Sequence, residues 1–196
     1  MNKLNHVAFI MDGNGRRGKK KNKGRNFGHF NFFVLFIKIV EKSIKLKIPI
    51  ISFYVFSTEN WKRPKSEINF LFNLITSYFK QEINKVISND IKINIIGKIN
   101  KLPSKIKFSL RDVIKKTKKN KKIIVNLALN YGSKDEIIDA CKKVKNKISI
   151  KSLEKNLYTK NLANPDILIR TGGHKRLSNF MLWQLAYTEL YFIDKL

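Results

Sequence analysis

Short apolar runs that scarcely alternate with polar residues recur at 6–11, 50–56, 91–97, 123–130 and 167–170, with a sixth near 188–192. They constrain the fold more than any other feature of the chain. Runs rich in Ile and Val without a two-residue alternation are strands buried on both faces, the condition of strands in a parallel sheet. Between them, segments at about 29–46, 66–88, 104–119 and 133–147 carry helical periodicity, and shorter helices are expected near 150–159 and after Ser178. Strand–helix–strand repetition predicts an α/β fold, with a mostly parallel sheet of about six strands flanked by helices. Pro64, Pro103 and Pro165 fall near element boundaries and Pro49 immediately precedes the second strand, as suits a residue without an N–H. No internal repeat and no linker divides the chain, so residues 1–196 read as one domain. A domain of that size buries roughly 70% of the surface its unfolded chain exposes.

In such sheets ligands bind at the carboxyl ends of the strands, which makes the polar residues there informative. The first run, His6-Val7-Ala8-Phe9-Ile10-Met11, leads into Asp12-Gly13-Asn14-Gly15-Arg16-Arg17. Gly13 and Gly15 can take positive φ, so backbone N–H groups can point at phosphate oxygens. Asp12 can hold Mg²⁺ and Arg16 can neutralise phosphate charge. A plain Asx-Gly turn with a solvated basic tip fits the same segment. The second run ends in Phe56-Ser57-Thr58-Glu59-Asn60-Trp61-Lys62-Arg63-Pro64, the fourth in Asn130-Tyr131-Gly132, and the fifth in Arg170-Thr171-Gly172-Gly173 followed by His174 to Phe180. These rims offer one cleft a carboxylate, several arginines, two glycine turns and a side-chain amide. No Ser-His-Asp set and no Gly-x-x-x-x-Gly-Lys-Ser/Thr loop is present. The cleft is equipped to bind diphosphates.

The net charge of +27, from 41 Lys+Arg against 14 Asp+Glu, would suit a nucleic-acid or anionic-membrane partner. The excess is mostly lysine, spread along the chain and accompanied by Asn, Ile and Phe. These residues share A/T-rich codons, and compositional drift accounts for them without a function. Lys115 to Lys122 carries no interleaved aromatics of the kind a single-strand binder uses. Cys141 is the only cysteine, which rules out an internal disulfide and suits a reducing, cytoplasmic setting. No apolar stretch reaches the length of a membrane span and no signal-peptide h-region precedes the first strand, so a cytoplasmic protein is expected.

In series, these blocks resemble the cis-prenyltransferases of the bacterial undecaprenyl-diphosphate-synthase type. The resemblance rests on His6 to Arg16, Arg25-Asn26-Phe27-Gly28-His29, Phe56 to Pro64, Asn130-Tyr131-Gly132 and Asp166 to Gly173. It continues through Ser178-Asn179-Phe180 and Trp183-Gln184 to Glu189-Leu190-Tyr191-Phe192. It implies repeated addition of isopentenyl diphosphate to an allylic diphosphate resembling farnesyl diphosphate. The product would be a long polyprenyl diphosphate for the lipid carrier of cell-wall synthesis. By the same resemblance Gly13, Asn14, Gly15, Arg16 and Arg17 cradle the allylic diphosphate, with Arg25 and His29 as further donors. Arg170, Arg176, Leu177 and Ser178 belong to the isopentenyl diphosphate site. Asn60 belongs to the proton-removal step, beside Ser57, Thr58, Glu59, Trp61 and Arg63. An amide is a poor base, so Asn60 reads as orienting substrate while a diphosphate oxygen takes the proton. Mg²⁺ is the implied cofactor, held by Asp12 and Glu189, and a homodimer is the implied assembly. Peripheral membrane contact suits a greasy product, and nucleic acid is not expected.

Phe30, Phe32, Phe33, Leu35, Phe36, Ile37 and Val40 make the first long helix apolar nearly all round, Ile68, Phe70, Leu71, Leu74, Ile75 and Phe79 form an apolar face on the second, and most of them read as core packing. The resemblance adds that they wall a tunnel for the growing chain, with Val55 where a smaller residue is usual. Arg17 stands where the family has Trp, and His174-Lys175 where it has Glu-His. The chain ends at Leu196, where the family carries a further tail, so the domain is expected to be shortened at its C-terminus. A non-catalytic partner subunit and a basic nucleic-acid-binding protein are the other classes. The presence of Asp12 favours catalysis over both.

Overall fold

The computed structural model describes residues 4–20, 22, 24–145 and 147–195, apart from the side chains of residues 17, 19 and 24–31. Six strands form one sheet: β1 (His6–Ile10), β2 (Ile50–Ser57), β3 (Ile91–Ile96), β4 (Ile123–Tyr131), β5 (Ile167–Thr171) and β6 (Glu189–Ile193). Every pairing is parallel, in the order β3-β4-β2-β1-β5-β6. Parallel neighbours need crossovers, supplied by α1 (Asn14–Lys20), α2 (Gly24–Lys45), α3 (Lys65–Ser88), α4 (Ser104–Thr117), α5 (Ser133–Lys143) and α6 (Ile150–Glu154). Successive strand residues feed opposite faces. Val7, Ile51, Phe53, Val125 and Leu127 pack in a large core with α2, α3 and α4, while Ala8, Ile10, Ala128 and Leu168 meet Phe180, Met181 and Leu185.

Polar groups inside the second face pair with one another. His6 Nδ1 donates to the Ala163 carbonyl (2.6 Å), which leaves Nε2 to accept from Ser52 Oγ (2.7 Å). Asn126 donates to Ser52 Oγ and Asn94 to Asn126 Oδ1, both at 2.9 Å. Burial pushes the His6 pKa below its ordinary value and keeps the imidazole neutral.

Helix ends follow local chemistry. Pro64 and Pro103 stand at the N-caps of α3 and α4, where the missing N–H costs nothing. The end of α2 is a Schellman closure: Ile48 N–H bonds the Ser43 carbonyl (3.0 Å) and Lys47 N–H the Ile44 carbonyl (3.1 Å). Lys47 sits at φ 56, the left-handed position that glycine usually fills.

Three expectations are corrected. The turn after Asp12 is a turn only at Gly13 (φ 91), and Asn14–Lys20 is helical. α2 starts at Gly24, several residues earlier than its apolar periodicity shows. The helix expected after Ser178 does not form, because Ser178, Asn179 and Met181 all take positive φ (51, 62 and 46) while Phe180 and Met181 are driven into the core.

Candidate active site

The register of the sheet brings together residues from opposite ends of the sequence. Ile10 pairs with Arg170, so Asp12 lies just beyond the end of β1 beside the end of β5. Arg170 is 3% exposed, and its Nη2 donates to Asp12 Oδ2 at 2.9 Å. Its Nη1 donates to Ser178 Oγ (2.8 Å) and to the Arg176 carbonyl. Its Nε is buried with no hydrogen-bond partner among the described residues, a donor that an anion can satisfy. Asp12 Oδ1 accepts Gly13 N–H at 2.6 Å. Partial burial works to raise the Asp12 pKa, but Arg170, Gly13 N–H and Arg16 outweigh it and hold the carboxyl below its usual range. Arg16 is fixed by donating to the Gly172 carbonyl (2.6 Å), and Thr171 Oγ1 donates to the Asp12 carbonyl (2.9 Å). Gly172 is at φ +89, and a Cβ there would lie 2.9 Å from Asp12 C and O. The first and fifth rims are therefore locked together.

The second and fourth rims meet through paired irregularities. The β2–β4 register slips at Val55 and again near Asn130, which has φ 49. Bulges beside a site re-aim side chains, and this one turns Val55 to the cleft wall. A 3-10 turn, Thr58–Lys62, follows β2. Within it Asn60 Oδ1 accepts Ser57 N–H (3.2 Å), leaving the Nδ2 donors as what Asn60 can offer a substrate. Asn179 Nδ2 donates to Glu59 Oε1 (3.1 Å), and the Tyr54 hydroxyl reaches the Tyr131 and Ser178 carbonyls (3.2 and 3.3 Å).

The first, second and fifth rims line one cleft of about 650 Å³, whereas Asn130, Tyr131 and Gly132 at the end of β4 are not on its wall, a correction to the expectation that all four rims face it. Its floor carries Asp12 to Arg16, Asn60, Arg63, Arg170, Arg176 and Ser178. Phe32 and Val55 also line a second, nearly closed apolar space of about 10 Å³ between α2 and α3. Phe36, Tyr78 and Phe79 line that space and a third of about 210 Å³ further along the same helices. The three cavities follow one another along α2 and α3 as an interrupted channel, apolar in its middle and edged by Glu41, Glu82, Lys85 and Asn89 at its far end.

A family model described as "Putative undecaprenyl diphosphate synthase" matches residues 10–196. The chain belongs to the undecaprenyl diphosphate synthase family. It is 42% identical over 201 residues to an isoprenyl transferase of Oceanobacillus iheyensis, covering 97% of this chain and 80% of that protein. It is 41% identical over 199 residues to one from Rickettsia felis, covering 100% and 85%. Among solved structures, a lavandulyl diphosphate synthase from Lavandula x intermedia in complex with dimethylallyl diphosphate superposes with TM-score 0.95 at 29% identity, covering 99% of this chain and 88% of that one. A probable undecaprenyl diphosphate synthase from Campylobacter jejuni superposes with TM-score 0.83 at 38% identity, covering 100% and 88%.

Of the residues singled out for this synthase-family site, Asp12, Gly13, Asn14, Gly15, Arg16, Ser57, Glu59, Asn60, Arg63, Arg170, Arg176 and Ser178 share the cleft wall. The side chains of Arg17, Arg25 and His29 lie outside the described residues. Thr58, Trp61 and Leu177 are not on the wall. Trp61 meets Phe56 and Phe72 edge-on (5.1 and 5.8 Å) and donates to Asn130 Oδ1 (2.7 Å), while Leu177 packs on the second core. Glu189 pairs with Ile167, which pairs with Val7. That places it at the amino end of the sheet, about 16 Å along the strands from the level of Asp12. Within one chain the register therefore does not bring Asp12 and Glu189 to a common ion. Among the described residues no three His, Cys, Asp or Glu side chains cluster around a metal position. The donor set fits Mg²⁺, which takes one or two protein carboxylates and fills its shell from diphosphate and water. Tyr54, Glu67 and Asn179 line the cleft without having been singled out. Tyr54 reads as a strand residue, Glu67 as a surface position of a helix, and Asn179 lay within a quoted block but without a role.

Proposed function

We propose that this prenyltransferase adds isopentenyl diphosphate repeatedly to an allylic diphosphate seated at Gly13–Arg16, releasing a long polyprenyl diphosphate for lipid-carrier synthesis. The observation that carries the reading is the contact of Asp12 with Arg170 at the carboxyl ends of adjacent strands, 158 residues apart in sequence. The dimethylallyl diphosphate bound by the lavandulyl diphosphate synthase supports an allylic diphosphate in the corresponding cleft.

Ionisation of the allylic C–O bond leaves negative charge on the departing diphosphate. Backbone N–H groups at the start of α1 and the Arg16 guanidinium are the groups placed to stabilise it. The carbocation is attacked by the double bond of isopentenyl diphosphate, whose own diphosphate is held by Arg170, Arg176 and Ser178. The buried Arg170 Nε–H supplies a donor that no other described residue uses. The attack leaves a cation on the branched carbon of the isopentenyl unit, and a proton then leaves the adjacent carbon on the diphosphate side, which forms the new double bond. Asn60 has Oδ1 committed to Ser57 N–H and acts by donation, orienting a diphosphate whose oxygen takes that proton. Asp12 would hold Mg²⁺, whose chemistry is to neutralise the leaving diphosphate. The channel between α2 and α3 receives the lengthening tail.

A homodimer completes the reading. β6 is an edge strand, with Leu190 and Tyr191 exposed, and a second copy docked there would offer its Glu189 to the Mg²⁺ that Asp12 would hold. The deciding experiment incubates the protein with radiolabelled isopentenyl diphosphate, farnesyl diphosphate and Mg²⁺ and resolves the products by chain length. A ladder of cis-polyprenyl diphosphates is expected, and absence of any condensed product refutes the function.

A further inference from the structure

The amino end of the sheet carries a surface that diphosphate chemistry does not use. The turns that precede β2, β3 and β4 lie side by side there, tied by Lys122 N–H to the Asp90 carbonyl (3.0 Å) and Ile124 N–H to the Pro49 carbonyl (2.8 Å). Where these turns meet, Leu46 (57% exposed) and Ile87 (40% exposed) stand out at this pole, with Leu4 (41% exposed) beside them just before the start of β1. Six exposed lysines surround them: Lys45, Lys47, Lys118, Lys119, Lys121 and Lys122. Of the acids on this side, Asp90 already accepts Lys121 N–H through Oδ1 (3.0 Å) and Glu82 pairs with Lys85 (2.8 Å). The 210 Å³ far cavity of the channel reaches the surface toward the same pole, with Val40, Ile44 and Val86 inside and exposed Glu41, Lys85 and Asn89 at its rim.

We propose that this pole docks on an anionic phospholipid bilayer, Leu46 and Ile87 entering the interface and the lysines meeting headgroup charge, so that the far mouth of the channel faces lipid. Lysine stems lie along apolar surface while their ammonium groups stay with phosphate, and each cation near an anionic leaflet adds to the attraction. The arrangement differs from the general lysine excess in pairing exposed apolar groups and cations with a channel mouth. Ile148 and Ile150 are also exposed near lysines, but they precede and begin α6, which packs with α5 on the side of the sheet away from the channel. The choice of pole rests on the tunnel reading given under the proposed function. The binding itself does not.

The test sediments the full chain, without substrates, with vesicles of phosphatidylcholine alone or with added phosphatidylglycerol. Retention only on the phosphatidylglycerol vesicles is expected. It should fall roughly tenfold in Leu46→Ser/Ile87→Ser, as loss of apolar burial requires, and stay unchanged in Ile148→Ser/Ile150→Ser. Both variants should keep the parent's circular dichroism and its condensation rate in detergent, which separates docking from folding and from catalysis. No retention, or equal retention by the two variants, overturns the proposal, since charge alone would then account for the binding. So does equal loss in both, or binding to DNA with none to vesicles. Condensation measured in detergent stands or falls independently, so vesicle binding without product would leave the docking and refute the prenyl transfer.

Discussion

Asn60 presents its amide through a fixed carbonyl oxygen, so its removal should act on the reaction more than on substrate affinity. Asn60→Ala is expected to lower kcat by about 10²–10³-fold, the range for losing one donor to developing charge, with KM changing little. Steady-state kinetics at saturating diphosphates check this, and activity close to the parent's would end the assignment. Asp12 makes a second residue-scale prediction. Its folded-state pKa is depressed, so the stability it contributes is present above its unfolded value, about pH 4, and is lost as pH falls through the folded value. Asp12→Asn should therefore flatten the stability curve below about pH 4 while leaving Arg170 less well paired at neutral pH. Denaturant titrations across that range read both effects. At this scale the sequence was most legible where a strand ends in unusual chemistry: Asp12, Asn60 and Arg170 announced themselves. Tyr54 and Glu67 did not, because an aromatic on a strand and an acid on a helix are ordinary until the register puts them in a cleft. The placement of Val55 depends on a bulge that no pattern of apolar residues encodes.

The elements were legible in proportion to their burial. The inner strands β1, β2, β4 and β5 appeared as largely apolar runs because both of their faces are covered, whereas β3 and β6, at the edges, carry Lys92, Asn94 and the exposed Glu189, Leu190 and Tyr191. α1 was hidden because Asn14-Gly15-Arg16-Arg17-Gly18 has two glycines and no apolar stripe, so its helicity depends on its neighbours rather than on propensity. The stretch after Ser178 misled in the opposite direction, since Phe180 and Met181 are buried from left-handed turns instead of from a helix face. The end of α2 yields a stability prediction. Lys47 carries a side chain at φ 56, so Lys47→Gly should stabilise by about 1 kcal/mol and raise Tm by about 2–4 °C. Thermal unfolding checks it. The channel yields another. Phe33, Phe36 and Tyr78 pack their rings against one another at 5.3–6.4 Å where the link between cavities narrows. Burial, with Glu82 and Glu41 adding, pushes the Tyr78 hydroxyl up to about 12, which keeps it neutral in that lining. Tyr78→Ala and Val55→Ala should each lengthen the product ladder, and an unchanged ladder in both would place the length limit elsewhere.

Across the whole molecule, the fold class followed from the order of runs and helices alone, whereas the assembly did not. The resemblance carried Glu189 to the metal, and the register carried it to the other end of the sheet. Both can hold only if a second copy closes the site. Mixing Asp12→Ala with Glu189→Ala chains then creates dimers with one intact pair, and about a quarter of parental activity should return. Inactive mixtures would assign the metal to residues of one chain. The same sheet order bears on how the protein is made. β1 lies between β2 and β5, yet β5 begins at Ile167. During synthesis the amino-terminal loop is therefore complete long before the strand that must flank it has left the ribosome. Contacts so distant along the chain form slowly. Until they do, a nascent polypeptide holds its first glycine loop exposed and half-built, and the cleft can close only after β5 has emerged.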